Sequence, residues 1–149
     1  MALTVKKVTL WRAEVAHQAG KLAEILEPLA KAGANLRVVM GYAFPSSPGG
    51  AAIEVFPISG KKVTAAATAV GLSASPIACL LVEGDDRPGL GAEMARAIGK
   101  AGFNISFLMT ETVGRKFSAL FGFESDADAA VASKAIKAVG KPAAKARKR

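Results

Sequence analysis

The sequence predicts an α+β protein built from two β-α-β-β-α-β units in tandem, each an antiparallel sheet with its helices on one face. Three observations carry that expectation. The chain repeats itself at an offset of 69 residues. In both copies the apolar spacing switches between the helical and the strand period in the same order. Glycine and proline punctuate the two copies at matching places.

The repeat is clearest where "AEILEPLAKAGANL" (Ala23 to Leu36) falls on "AEMARAIGKAGFNI" (Ala92 to Ile105). Six pairs are identical: Ala23/Ala92, Glu24/Glu93, Lys31/Lys100, Ala32/Ala101, Gly33/Gly102 and Asn35/Asn104. Leu29/Ile98 and Leu36/Ile105 keep apolar character. Two copies are too few for a solenoid. The division expected is a first domain at residues 1–73, a second at 74–140, and a basic, disordered tail at 141–149.

In the first copy the patterns give a strand from Val5 to Ala13 and a helix from Ala19 to Ala32. Strands follow at Asn35 to Tyr42 and Ala51 to Ile58, then a helix from Lys61 to Val70 with Ser59 as its cap. Pro28 inside the first helix removes one N–H and should kink or shorten it. In the second copy "PIACLLV" (Pro76 to Val82) reads as a buried strand. Pro88 suits the first turn of a helix, where a missing donor costs nothing. Leu90, Met94, Ile98 and Ala101 recur at helical spacing until Gly102. "FNISFLMTET" alternates as a strand, "VGRK" turns, and "FSALFGFE" puts Phe117, Ala119, Phe121 and Phe123 on one face. Ser125 and Asp128 form a capping pair for a helix from Asp126 to Val139. The fourth strand of the first unit is expected from "LSASP" or the strand after it. In the second unit that place falls to the basic tail, so no fourth strand is expected there. The two sheets are expected to join edge to edge.

The chain has 149 residues, 51% of them hydrophobic, which suits one ordinary domain or two small ones and argues against global disorder. Cys79 is the single cysteine, so no internal disulfide forms, which fits a reducing, cytoplasmic setting. The N-terminus lacks the pattern of a secretion signal, and charges interrupt every apolar run before membrane-span length. The formal charge is +8, and five of the cations (Lys141, Lys145, Arg147, Lys148 and Arg149) lie in the tail, so the body is only mildly basic. One histidine and one cysteine cannot build a His/Cys metal cluster, and no nucleophilic triad is arranged. No catalytic residue, no metal and no cofactor are therefore assigned.

The chemistry expected lies at "GDDRPGLGAEM", where a strand passes through a polar turn into a helix. A helix N-terminus presents unpaired N–H groups and about half a positive charge. Gly89 and Gly91 would let a carboxylate approach the backbone closely. Asp86 either caps the helix or faces a ligand ammonium. Asn104 can donate and accept. Together these groups suit a free α-amino acid.

The stretch "DDRPGLGAEMARAIGKAGFNI" resembles the signature of the ACT family of small regulatory domains, and "AHQAGKLAEILEPLAKAGANL" is a similar, degraded copy. The resemblance implies ferredoxin-like units that bind small molecules, often amino acids, at interfaces between domains. Carried over by position, it implies Asp86, Arg87, Gly89, Leu90 and Asn104 as ligand contacts in the second unit, and Gly20 and Asn35 in the first. His17, Gln18 and Ala19 replace Asp86, Arg87 and Pro88. A non-catalytic amino-acid sensor, working as a homodimer, is the function this implies. Two alternatives stay open: a nucleic-acid-associated protein acting through Lys141–Arg149, and a structural or oligomerising partner of a separate enzyme.

Two further motifs are weighed and set aside. "GLGAEM" nearly matches a dinucleotide fingerprint, but that motif needs a parallel sheet reached by crossovers. "RKFSALFGF" echoes an RNA-recognition strand, but its phenylalanines fit a helix-covered face better.

Overall fold

The computed structural model describes residues 3–46 and 48–140. The tail at 141–149, with the expectations placed on it, lies outside them. The elements run β1 (Thr4–Val8), β2 (Trp11–Ala16), α1 (Lys21–Lys31), β3 (Val38–Ala43), β4 (Gly50–Phe56) and α2 (Lys61–Ala69). They continue β5 (Ser73–Ala74), β6 (Ala78–Asp85), α3 (Leu90–Ala101), β7 (Phe107–Val113), β8 (Lys116–Phe123) and α4 (Asp126–Val139). The strands form two separate four-stranded sheets, ordered β3-β4-β2-β5 and β1-β6-β8-β7. Every pairing is antiparallel. The fold is α+β, two ferredoxin-like units, as the sequence predicts; the sheets do not join into one.

The strand expected from Val5 to Ala13 is in fact two strands in two sheets. β2 pairs with β4 and, through Trp11 and Arg12, with the two-residue β5. β5 is the fourth strand expected from "LSASP". β1 instead lies along β6, from Thr4 opposite Glu83 to Val8 opposite Cys79. The second sheet thus has the fourth strand that the sequence reading denied it. A strand that completes a sheet need not come from the adjacent stretch of chain, and self-comparison cannot detect it.

The compact units accordingly differ from the division expected. One is Thr9–Pro76. The other combines, of the described residues, 3–8 with 77–140. In the first, Ala13, Ile53 and Val55 pack under Ile25 and Leu29 of α1 and Val63 and Ala67 of α2. In the second, Leu80, Val82, Phe117, Ala119, Phe121 and Phe123 pack under Leu90, Met94 and Ile98 of α3 and Ala129, Ala132 and Ile136 of α4. The four-residue alternation on β8 is therefore the core face anticipated. Cys79 and Leu81 alternate with that set and are also buried, so β6 is apolar on both faces.

Several caps follow the sequence and several do not. Ser125 Oγ accepts from Asp128 N–H at 3.1 Å, and Gly102 ends α3 in the left-handed region with φ 88°. Ser59 does not cap α2; Gly60 occupies the N-cap at φ 83°. Pro88 lies before the N-cap Gly89 rather than in the first turn. Pro28 sits inside α1, which runs on to Lys31 with Ile25 and Leu29 buried; tertiary burial outweighs the lost hydrogen bond.

Two outcomes are expected. Phe121→Ala should cost about 3–5 kcal/mol in urea denaturation, because a buried ring leaves a cavity. A chain lacking residues 1–8 should keep the first unit folded and lose the cooperative melting of the second. A peptide of residues 1–8 added in trans should restore it. Unchanged melting of the truncated chain would refute the assignment of β1.

Candidate functional site

The turns before α1 and α3 are built alike. Gly20 and Gly89 are the N-caps, at φ 88° and 83°. Only glycine adopts that region without strain, so the backbone demands these two residues whatever else they do. His17 N–H donates to Gly49 C=O and Asp86 N–H to Arg115 C=O, both at 2.8 Å, which ties each turn to the hairpin bend beside it. Lys21 N–H points to Gln18 C=O and Leu90 N–H to Arg87 C=O. Glu24 N–H bonds Gly20 C=O and Glu93 N–H bonds Gly89 C=O, each at 3.0 Å. The N–H groups left without an intrahelical acceptor belong to Leu22 and Ala23 in one copy and Gly91 and Ala92 in the other.

The side chains on this shared frame differ. In the second unit Arg87 grips Glu93 in a bidentate pair, Nη1 to Oε1 at 2.7 Å and Nη2 to Oε2 at 2.6 Å. Hydrogen bonding to Arg87 holds the Glu93 carboxyl below its usual range. Leu90 is buried in the core, and its N–H serves the turn, so it has neither group to offer the expected carboxylate. Asp86 is exposed and does not cap α3, whose N-cap makes no side-chain hydrogen bond. Asp85 is paired to Lys116 at 2.5 Å.

Asn104 and Asn35 are exposed and follow α3 and α1. A helix rises about 1.5 Å per residue, so the length of α3 separates Gly89 from Asn104 by roughly 18 Å. One unit cannot bring both to one small ligand. The same separation parts Gly20 from Asn35.

In the first unit the corresponding place is open. A recess of about 290 Å³ lies beside the first turn of α1. His17, Gln18, Lys21 and Leu22 line one side, and Gly41–Ala43 with Ala51–Ile53 line the other. Lys21 stands where the second unit has the buried Leu90, which is why a space remains. Its Nζ pairs with Glu24 at 3.0 Å, an exposed bridge of little strength.

Sequence reasoning missed a polar cluster on the helix-free face of the first sheet. Glu54 stands directly opposite Arg12 on β2 and diagonal to Tyr42 on β3. It is 1% exposed. Its Oε2 accepts from the Tyr42 hydroxyl at 3.1 Å, while its Oε1 has no hydrogen-bond partner among the described residues. Arg12 Nε lies 3.9 Å from Oε1, beyond hydrogen-bond reach, and Arg12 Nη1 instead donates to the exposed Glu14 at 2.7 Å. Tyr42 packs edge-on against Phe44, over which the Arg12 guanidinium sits at 5.9 Å. Burial raises the Tyr42 hydroxyl above its ordinary range, against the opposing influence of Arg12. The available signal was one acid inside an otherwise apolar run, "AAIEVF".

The antiparallel sheets exclude a doubly wound nucleotide fold. Phe117, Phe121 and Phe123 are buried under helices and offer no stacking platform. Among the described residues no group of His, Cys, Asp or Glu is placed to hold a metal, and no helix is long and apolar enough to cross a membrane.

No family model matches the chain, and no curated protein matches it. Solved structures do. A protein of Bacteroides thetaiotaomicron is 13% identical with a TM-score of 0.72, covering 87% of this chain and 88% of its own. The regulatory subunit of aspartate kinase from Thermus thermophilus, in a ligand-free form, is 19% identical with a TM-score of 0.64, covering 95% and 98%. A putative C-terminal regulatory domain of aspartate kinase from Porphyromonas gingivalis is 13% identical with a TM-score of 0.52, covering 91% and 96%. At these identities the likeness shows the fold alone, two ACT-like units.

Arg87→Ala should leave the urea midpoint of the chain unchanged, since both partners of the clamp are solvent-exposed. A clear fall in the midpoint would mean that the clamp is structural.

Proposed function

We propose that this protein is a non-catalytic regulatory module that binds a free amino acid, and that the first unit holds the ligand. One observation carries the reading: the turn kept in both copies is filled by Leu90 and crossed by the Arg87–Glu93 pair in the second, but opens into a recess beside Lys21 in the first. The recess joins groups of opposite preference. The first-turn N–H groups of α1 and the Lys21 ammonium favour a carboxylate, an arrangement worth about 0.3–1 kcal/mol from the helix dipole alone. Leu22, Val15 and Ile53 favour an apolar side chain. Its volume is at the small end for ligand sites, which fits an amino acid. The likeness to regulatory subunits of aspartate kinase supports a regulatory role. Asp86, Arg87 and Gly89 of the second unit, with Asn104 or Asn35, would contribute only across a contact with another domain, since no single unit gathers them.

The partner we assign is a second copy of the chain. β3 and β7 are edge strands at equivalent places in the repeat. Val39, Tyr42, Leu108, Met109 and Val113 are their exposed large hydrophobics. The opposite edges are blunted: β1 carries Lys6 and Lys7, and β5 is two residues long. An uncharged, bare edge such as β3 is a template for pairing, and it meets its own copy without like-charge repulsion.

A thermal-shift panel of the twenty amino acids tests the reading. At least one should raise the melting temperature with increasing concentration, as binding to the folded state requires. Lys21→Glu should abolish that rise, and Arg87→Ala should not. If no amino acid shifts the melting temperature at millimolar concentration, the sensor reading fails.

A further inference from the structure

Gly41 is a glycine that the fold does not require. It lies inside β3, within "VVMGYA". Its φ is not positive, and a Cβ built on it would meet nothing within 4 Å. Gly122 on β8 is different, since a Cβ there would collide with the Phe107 ring. At Gly41 neither backbone conformation nor packing calls for the missing side chain, and a glycine inside a strand weakens it. Such a residue often marks a place where a ligand or another backbone approaches closely. Gly41 lines the recess beside α1.

Register puts Gly41 on the helix-covered side of the first sheet. It stands opposite Ile53, which packs in the core with α1 and α2. The next row on that side is Val15, Ala51 and Ala43. The second unit builds the matching rows from larger side chains. Thr110 falls on Gly41 at the 69-residue offset and stands opposite Ala119. Phe117, between Gly84 and Thr112, takes the place of Ala51 and is buried. The first unit thus keeps its sheet low where the second fills it, and at Gly41 the floor carries no side chain at all.

We propose that Gly41 determines which amino acid the recess accepts, by leaving the floor clear for the ligand's side chain; this rests on the recess being the ligand site. With the carboxylate at the first turn of α1, the side chain runs across Gly41 toward Val15 and Ile53. Val15, Gly41, Ala43, Ala51 and Ile53 offer it no charge and no side-chain hydrogen bond, so the class selected is an aliphatic amino acid. A methyl group at position 41 narrows that path, and a branched side chain closes it.

The test compares the unaltered chain with Gly41→Ala and Gly41→Thr in the thermal-shift panel of the twenty amino acids, with calorimetric titration of those that respond. Without added amino acid, both variants should melt at or above the temperature of the unaltered chain, because each replacement suits a strand better than glycine does. An aliphatic amino acid should stabilise the unaltered chain. Gly41→Ala should weaken its binding about tenfold, the scale of one carbon in an apolar site. Gly41→Thr should abolish the response. Sedimentation should give both variants the oligomeric state of the unaltered chain. Full response in Gly41→Thr overturns the role of Gly41 and leaves the recess reading standing. A lower melting temperature without ligand, or a changed oligomeric state, also overturns it, since the glycine then serves the strand or its pairing with another copy. Response to charged amino acids alone overturns the aliphatic class. If no amino acid stabilises the unaltered chain, the recess reading fails and this role fails with it.

Discussion

The ladder between β1 and β6 is the constraint on which the rest of the structure depends. A β-α-β-β-α stretch makes only three strands, and a three-stranded sheet leaves an apolar edge in water. β6 is apolar on both faces, so it cannot serve as an edge. β1 closes it with five paired residues and turns Lys6 and Lys7 to the outside, the usual protection of an exposed edge. The first sheet solves the same problem with β5. Each unit is thus completed by a strand that self-comparison does not reveal. The second unit is finished by residues that precede the first.

With both sheets closed on that side, the repeat is free to diverge at its turns. Gly20 and Gly89 fix the same left-handed bend, and the same backbone bonds tie both bends to their hairpins. What changes is one side chain at the start of each helix. Leu90 fills the core under α3, whereas Lys21 turns outward and leaves a recess under α1. The frame is structural in both copies, and any chemistry it performs depends on which side chains decorate it. This is why a motif of glycines alone says little about function.

Much of the fold was legible because it is periodic. α4 and the core face of β8 came directly from apolar spacing and a serine cap, and the end of α3 from Gly102. The boundary between β1 and β2 was not legible, since "VKKVTLWRA" alternates without a break and only tertiary pairing divides it. The candidate site was legible in one respect, the conserved bend of the repeat, and misplaced in another. Asp86 and Arg87 drew attention by their charge, yet Arg87 is committed to Glu93, and the open recess belongs to the copy that departs from the motif. Arg12, Tyr42 and Glu54 come from three strands, and their meeting depends on register, which a single sequence does not disclose.

The assignment of β1 to the second sheet is tested most directly by native-state hydrogen exchange. The amides of β1 that face β6 should be protected together with those of β6 and β8, as members of one cooperative unit. Exchange of those amides at the rate of free chain, or in step with β2 and β4, would contradict the fold described.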